Sequence, residues 1–259
     1  MHPHDMLVGM RAIFTLAIAA LPLLGQFEVA SIKRAQPTSG RFIKMQSAHQ
    51  FYVKDYTVKG LIGAAYNLTP RAITGGPGWM DTEVFDILAA TPGEKRPTLD
   101  EQMAMLRKLL ADRFQLTFHR EEKELSVYSL TVAKGGAKLK ESVGAPDSLP
   151  ELVNVIYPDH VKLPARNTTI AQFVSMMQRA VLDLPIVDGT GLTGRYDFDL
   201  EWAPDESQFG GQLRRATTSD ESKPDLFAAM REQLGLRLQA GKGPVSTIVV
   251  DGVERPSEN

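Results

Sequence analysis

Cysteine is absent from the 259-residue chain. That excludes disulfides, thiolate catalysis and cysteine-ligated zinc or iron–sulfur centres; it suits an envelope protein. Charge of one sign is also lacking: the net charge is −2, so no electrostatic case exists for nucleic acid or an anionic membrane surface. Histidine is sparse, and beyond the amino-terminal segment it is limited to His49, His119 and His160. None of these has metal-ligand spacing, and His119 reads as a surface strand residue beside Glu121 and Glu122. No G-x-S-x-G, S-x-x-K, H-E-x-x-H or P-loop pattern occurs, so no catalytic motif and no cofactor is indicated. A non-catalytic protein is the expectation.

Long apolar runs are missing except for residues 12–24. Arg11 precedes Ala12-Ile13-Phe14-Thr15-Leu16-Ala17-Ile18-Ala19-Ala20-Leu21-Pro22-Leu23-Leu24, and Gly25-Gln26 follow. A positive flank, a short apolar stretch and small or polar residues read as a secretory signal over 1–26. The stretch is short for a membrane span of ~20 residues. The expected location is the periplasm or exterior, with membrane contact only through this segment if it is uncleaved.

What the chain has is periodicity. Tyr196, Phe198, Leu200 and Trp202 alternate with Asp197, Asp199 and Glu201, the mark of a half-buried strand. The strand follows the turn Asp188-Gly189-Thr190-Gly191-Leu192-Thr193-Gly194. A weaker version lies upstream: Gly75-Gly76-Pro77-Gly78-Trp79, then Val84-Phe85-Asp86-Ile87-Leu88. Phe85-Asp86-Ile87 is matched to Phe198-Asp199-Leu200. Capping boxes at Thr98/Glu101 and Thr169/Gln172 each start an amphipathic helix, with Leu99, Met103, Leu106, Leu110 and Phe114 on one face of the first. Thr57 caps a shorter helix closed by Asn67, and Pro224 is read as the first residue of another, closed by Gly235.

Two hairpins are expected, one turning at Glu121-Glu122-Lys123 and one at Gly241-Lys242-Gly243-Pro244. The fold class is then α+β with an internal duplication, each half packing two helices on a small mixed sheet of its own; one sheet built by both halves is the alternative. The divisions are 27–136 for a first repeat with extra amino-terminal strands, 137–160 for a linker, and 161–259 for a second repeat with a mobile loop at 203–223.

Gly189-x-Gly191-x-x-Gly194 matches a dinucleotide fingerprint on paper, but a strand follows where the mechanism needs a helix. The glycines are read as supplying positive φ in a tight connection. Gly75, Gly76, Pro77, Gly78, Trp79, Asp188, Gly189, Gly191, Gly194 and Asp199 are accordingly taken as structural turns or an interaction surface. Trp79, Tyr66 and Trp202 are read as core or core-edge residues. The acidic strand residues could suggest paired carboxylates for glycosidic chemistry, though like charges on one strand face are ordinarily solvated.

Several segments together carry a resemblance: Phe27-Glu28-Val29-Ala30-Ser31-Ile32-Lys33, Gly75 to Trp79, Leu109-Leu110-Ala111-Asp112-Arg113-Phe114, Val132-Ala133-Lys134-Gly135-Gly136, Val187 to Phe198, Glu232-Gln233-Leu234-Gly235-Leu236 and Val253-Glu254-Arg255-Pro256. In this order they resemble a soil-acidobacterial family of exported proteins of unknown function. The resemblance implies export, and related domains attached to membrane sensor metallopeptidases of the beta-lactam-receptor type. It carries no catalytic residues. The expected function is a binding or assembly module for an unknown envelope protein or small ligand, through sheet edges or a groove between the halves; the alternatives are an envelope hydrolase with an unrecognised site, or a small-molecule sensor domain.

Overall fold

The computed structural model describes residues 26–38, 40–145, 150–211 and 223–257. The expected signal segment, apart from Gln26, lies outside them. Among the described residues the architecture is α+β, with five α-helices and three sheets.

The chain opens with β1 (Val29–Ala35), β2 (Phe42–Met45) and β3 (Gln50–Thr57), then α1 (Val58–Tyr66). The Thr57 hydroxyl accepts the Gly60 N–H, and Asn67 closes the helix at φ 55°, as the local chemistry dictates. Next come β4 (Ile73–Gly75), α2 (Trp79–Thr82), β5 (Val84–Ala90) and α3 (Leu99–Arg113), then β6 (Thr117–Val132). The second part runs β7 (Lys140–Glu141), β8 (Glu151–Leu152), β9 (Val155–Ile156), β10 (Val161–Thr169), α4 (Ile170–Met176), β11 (Ile186–Asp188), β12 (Arg195–Trp202), α5 (Leu226–Leu234) and β13 (Leu236–Gly252). Both capping boxes are formed, at Thr98/Glu101 and Thr169/Gln172. Pro224 sits two residues before α5, ahead of the cap Asp225. The expected 137–160 linker supplies β7, β8 and β9, which pair with β12 and β10.

One outer sheet has the antiparallel order β1-β5-β3-β2, the other β7-β12-β10-β8 with β9 also on β10. Helices α1 and α3 cover the first around Phe51, Leu61, Leu106 and Phe114. Helices α4 and α5 cover the second around Phe173, Phe198, Trp202 and Met230. Between them lies a mixed sheet, β11-β6-β13-β4.

That middle sheet replaces both expected hairpins. β6 and β13 are unbroken strands paired antiparallel from Thr117↔Gly252 to Val132↔Leu236, so Glu124 faces Pro244 at the centre. The charged and glycine-rich stretches read as turns lie mid-strand, exposed except for half-buried Lys123 and Gly243. Turn chemistry describes local preference, and partner pairing along the whole strand outweighs it. Two self-contained repeats, each with its own mixed sheet, are therefore not evident. β4 of the first half lies parallel to β13 (Ile73↔Ile248), and β11 of the second lies parallel to β6 (Ile186↔Tyr128). Each core accordingly takes residues from the other half: Ile248 and Val250 in the first, Tyr128 and Leu130 in the second.

β3 and β10 each carry a bulge at a residue with positive φ, Asp55 (56°) and Asn167 (51°), residue types that tolerate that conformation. The Asp55 N–H donates to Asp86 Oδ1 at 3.0 Å and the Asn167 N–H to Asp197 Oδ1 at 2.8 Å. With Phe85 opposite Tyr56 and Tyr196 opposite Thr168, Asp86 corresponds to Asp197. The sequence match to Asp199 is two residues out of step. A two-residue slip keeps every side chain on its face, so alternation alone cannot detect it. Asp86→Ala and Asp197→Ala should each cost about 1–3 kcal/mol by stranding a bulge N–H, read by urea unfolding; a silent substitution at either position would remove this account of the bulges.

Candidate functional site

Gly75 (φ 77°) and Gly76 (φ 73°) occupy the left-handed region. A Cβ on Gly75 would stand 2.6 Å from the Val250 carbonyl oxygen, so the approach of β4 to β13 requires glycine there. The Pro77 and Gly78 carbonyls accept the N–H groups of Met80 and Asp81, winding the chain into α2, an element the sequence reading missed. Trp79 meets Phe85 edge-on and has the Arg255 guanidinium 4.8 Å from its ring centroid. Arg255 is in turn held by Glu83.

In the second bend Asp188 Oδ1 accepts the Thr190 N–H and hydroxyl, and the Gly189 N–H donates to the Leu130 carbonyl. Only Gly191 of its glycines has positive φ, at 67°. At Gly194 the constraint is contact: a Cβ would lie 2.8 Å from the Tyr196 hydroxyl. The two bends meet β13 at Val250 and β6 at Leu130, which belong to opposite ends of the ribbon, since Val250 faces Phe118. At about 3.3 Å per residue they stand roughly 40 Å apart and do not form one site.

The acidic strand residues are occupied. Asp199 pairs with Arg166 at 3.0 Å, and Glu201 with Lys162 and Lys223 at 3.0 Å each. The Asn167 N–H holds Asp197 below the usual carboxylate range, and Lys223 and then Lys162 do so for Glu201. Neither Asp197 nor Glu201 is arranged as a general acid with a raised pKa. Among the described residues no group of three His, Cys, Asp or Glu side chains is placed to hold a metal ion.

What the fold does bring together is a cleft of about 310 Å³ at the junction of the two halves. Tyr66 and Asn67 come from the end of α1, Leu99, Met103 and Arg107 from α3, and Arg120 from β6. Ser175 and Arg179 come from α4 and the π-turn after it. The Ser175 hydroxyl donates to Asn67 Oδ1 at 2.9 Å, joining the halves. The guanidiniums of Arg107 and Arg120 lie 5.8 and 5.7 Å from the Tyr66 ring centroid, within cation–π reach. Burial raises the Tyr66 pKa, opposed by Arg107 and Arg120. Arg179 retains exposed surface, yet desolvation lowers its pKa from the ordinary arginine value, with Tyr56 and Asp100 acting the other way.

Residues 59–253 match the family described as a protein of unknown function, DUF3738. The chain belongs to the DUF3738 family. Neither the curated proteins nor the solved structures gave a match. The matched span of the DUF3738 chain contains both bends and every cleft residue named above. Sequence reading did not find the cleft, because its arginines lie far apart in the chain and share no motif. One local signal existed: Leu99, placed on the apolar face of α3, is 48% exposed.

His119 lies outside the cleft, exposed on β6. Its Nδ1 is 2.8 Å from Asp251 Oδ1 across the ribbon and its Nε2 is 3.4 Å from Glu121 Oε1. Asp251 was invisible from sequence because it arrives from β13. Hydrogen bonding to Asp251, then to Glu121, raises the His119 pKa. The sign follows: this pair stabilises the fold below the unfolded histidine pKa, and the contribution is lost as pH rises through the raised folded value. An NMR titration of this DUF3738 chain should show His119 titrating above an ordinary histidine, with Asp251→Asn moving it down. An unchanged midpoint in that variant would remove the cross-strand pair.

Proposed function

We propose that the chain is an exported, non-catalytic binding module that holds its partner or ligand in the cleft between its two halves. The single observation carrying this reading is the cleft itself, lined from both halves and furnished with aromatic, apolar and cationic groups. Such concave, mixed surfaces are where proteins take small ligands. The other surface considered, the sheet edges, is less suited. The open edges of β6 and β13 carry Glu121, Glu122, Lys123, Glu124, Lys242 and Pro244, residues that discourage strand addition. Export rests on the signal-like residues 11–26, and the soil-acidobacterial grouping rests on the motifs quoted for it.

The same reading includes descent of the halves from one duplicated unit whose last strand, β6 or β13, is exchanged. Its supports are the matched bulges at Asp55 and Asn167, the caps Thr57 and Thr169, and the symmetric pairings Ile73↔Ile248 and Ile186↔Tyr128 about Glu124 and Pro244. The test of function is photo-crosslinking in intact cells, with the crosslinker placed in turn at Leu99 in the cleft and at Glu122 on the ribbon edge. Adducts are expected from Leu99. Adducts from Glu122 alone, or from neither, would sink the cleft reading.

A further inference from the structure

We infer that the cleft takes a small ligand with a dianionic head, of the phosphate-monoester type, and an apolar body; this rests on the cleft reading above. Three guanidiniums line it, those of Arg107, Arg120 and Arg179, against the single carboxylate of Asp100. The lining is therefore cationic in a chain whose net charge is −2, so the concentration of positive charge is local and does not reflect general basicity.

These arginines differ from the five that form ion pairs elsewhere among the described residues. Among the described residues, Arg34, Arg71, Arg166, Arg231 and Arg255 each pair with a carboxylate. Arg107 and Arg120 have neutral acceptors instead: Arg107 Nη1 donates to the Ala65 carbonyl at 2.6 Å, and Arg120 Nη1 to the Ser246 hydroxyl at 3.2 Å. Such bonds orient the guanidinium and leave its charge uncompensated. Each fork offers five N–H donors, so one bond apiece leaves several for an anion. Guanidinium groups match phosphoryl oxygens through paired, charge-assisted bonds. Beside them lie the core residue Met103, half-buried Tyr66 and Leu99, an apolar wall of which Leu99 stands exposed and outside the core. A volume of about 310 Å³ suits a ligand of small-molecule size.

The experiment is calorimetric titration of the full chain with inorganic phosphate, phenyl phosphate and phenol. Phenyl phosphate is expected to bind several-fold more tightly than phosphate, with phenol showing no binding. Arg179→Gln should weaken phenyl phosphate about tenfold, the loss of one charge-assisted contact, while the melting temperature without ligand stays unchanged. Leu99→Ser should weaken phenyl phosphate and leave phosphate as it was. Raised salt should weaken both anions. Phenol binding as well as phenyl phosphate, or equal affinity in the parent, Arg179→Gln and Arg120→Gln proteins, would overturn the dianion assignment. So would absence of heat with every probe. Leu99 crosslinks obtained alongside any of those results would leave the cleft as the binding surface, and their absence would end both readings.

Discussion

Gly235→Ala is expected to destabilise the protein by about 3 kcal/mol or more. Gly235 ends α5 at φ 64°, where a side chain costs about 1–2 kcal/mol. A Cβ there would also fall 2.1 Å from the Gly136 carbonyl oxygen and 2.9 Å from the Lys138 N–H nitrogen. These are backbone atoms, so relief requires moving a segment, at about 1–3 kcal/mol for overpacking. That segment is tied down: the Ala133 N–H donates to the Gly235 carbonyl and the Lys138 N–H to Leu234. Gln115 supplies the control. It follows the α3 cap Phe114 with a positive φ of 49°, but is exposed, so Gln115→Gly should change stability by no more than about 1 kcal/mol either way. Urea unfolding of both variants checks the pair; a Gly235→Ala protein within about 1 kcal/mol of the parent would mean that 136–138 does not pack as described.

Trp202→Ala should cost about 3–5 kcal/mol, the range for removing a large buried aromatic. Trp202 is fully buried, its indole N–H donates to Gln208 Oε1 at 2.7 Å, and its ring stacks on Phe209. Gln208 is itself 1% exposed and bonded to Asp205. The tryptophan thus holds residues 205–209 against the second core. Trp202→Phe separates the effects: most packing remains, but a buried amide oxygen loses its donor, at about 1–3 kcal/mol. Thermal unfolding gives the stabilities, and limited proteolysis should show earlier cleavage near 205–209 in both variants. Wild-type stability in Trp202→Phe would show that the indole bond contributes nothing.

Elements specified by neighbouring residues were readable in the sequence. Thr98 with Glu101 and Thr169 with Gln172 need only two intervening positions to declare a helix start, and both do so. Alternation placed Tyr196, Phe198, Leu200 and Trp202 on one buried face. Failures came where a distant partner decides the outcome. Glu121-Glu122-Lys123 has the composition of a turn, yet lies mid-strand because Val245, Ser246 and Thr247 pair with it. The loop expected to be mobile over 203–223 is anchored at Gln208 by Trp202, and its remainder, 212–222, lies outside the described residues. The cleft was illegible for a related reason: Arg107, Arg120 and Arg179 sit on separate elements, and only the junction of the halves makes them neighbours.

The exchanged strands set the order in which this molecule can be completed. Phe51, Leu61 and Leu106 are finished as a core only when Ile248 and Val250 arrive from β13, far along the chain. A ribosome-bound amino-terminal half would therefore present an open apolar surface, and contacts of such long sequence separation slow folding. Neither core can close until β13 has been made.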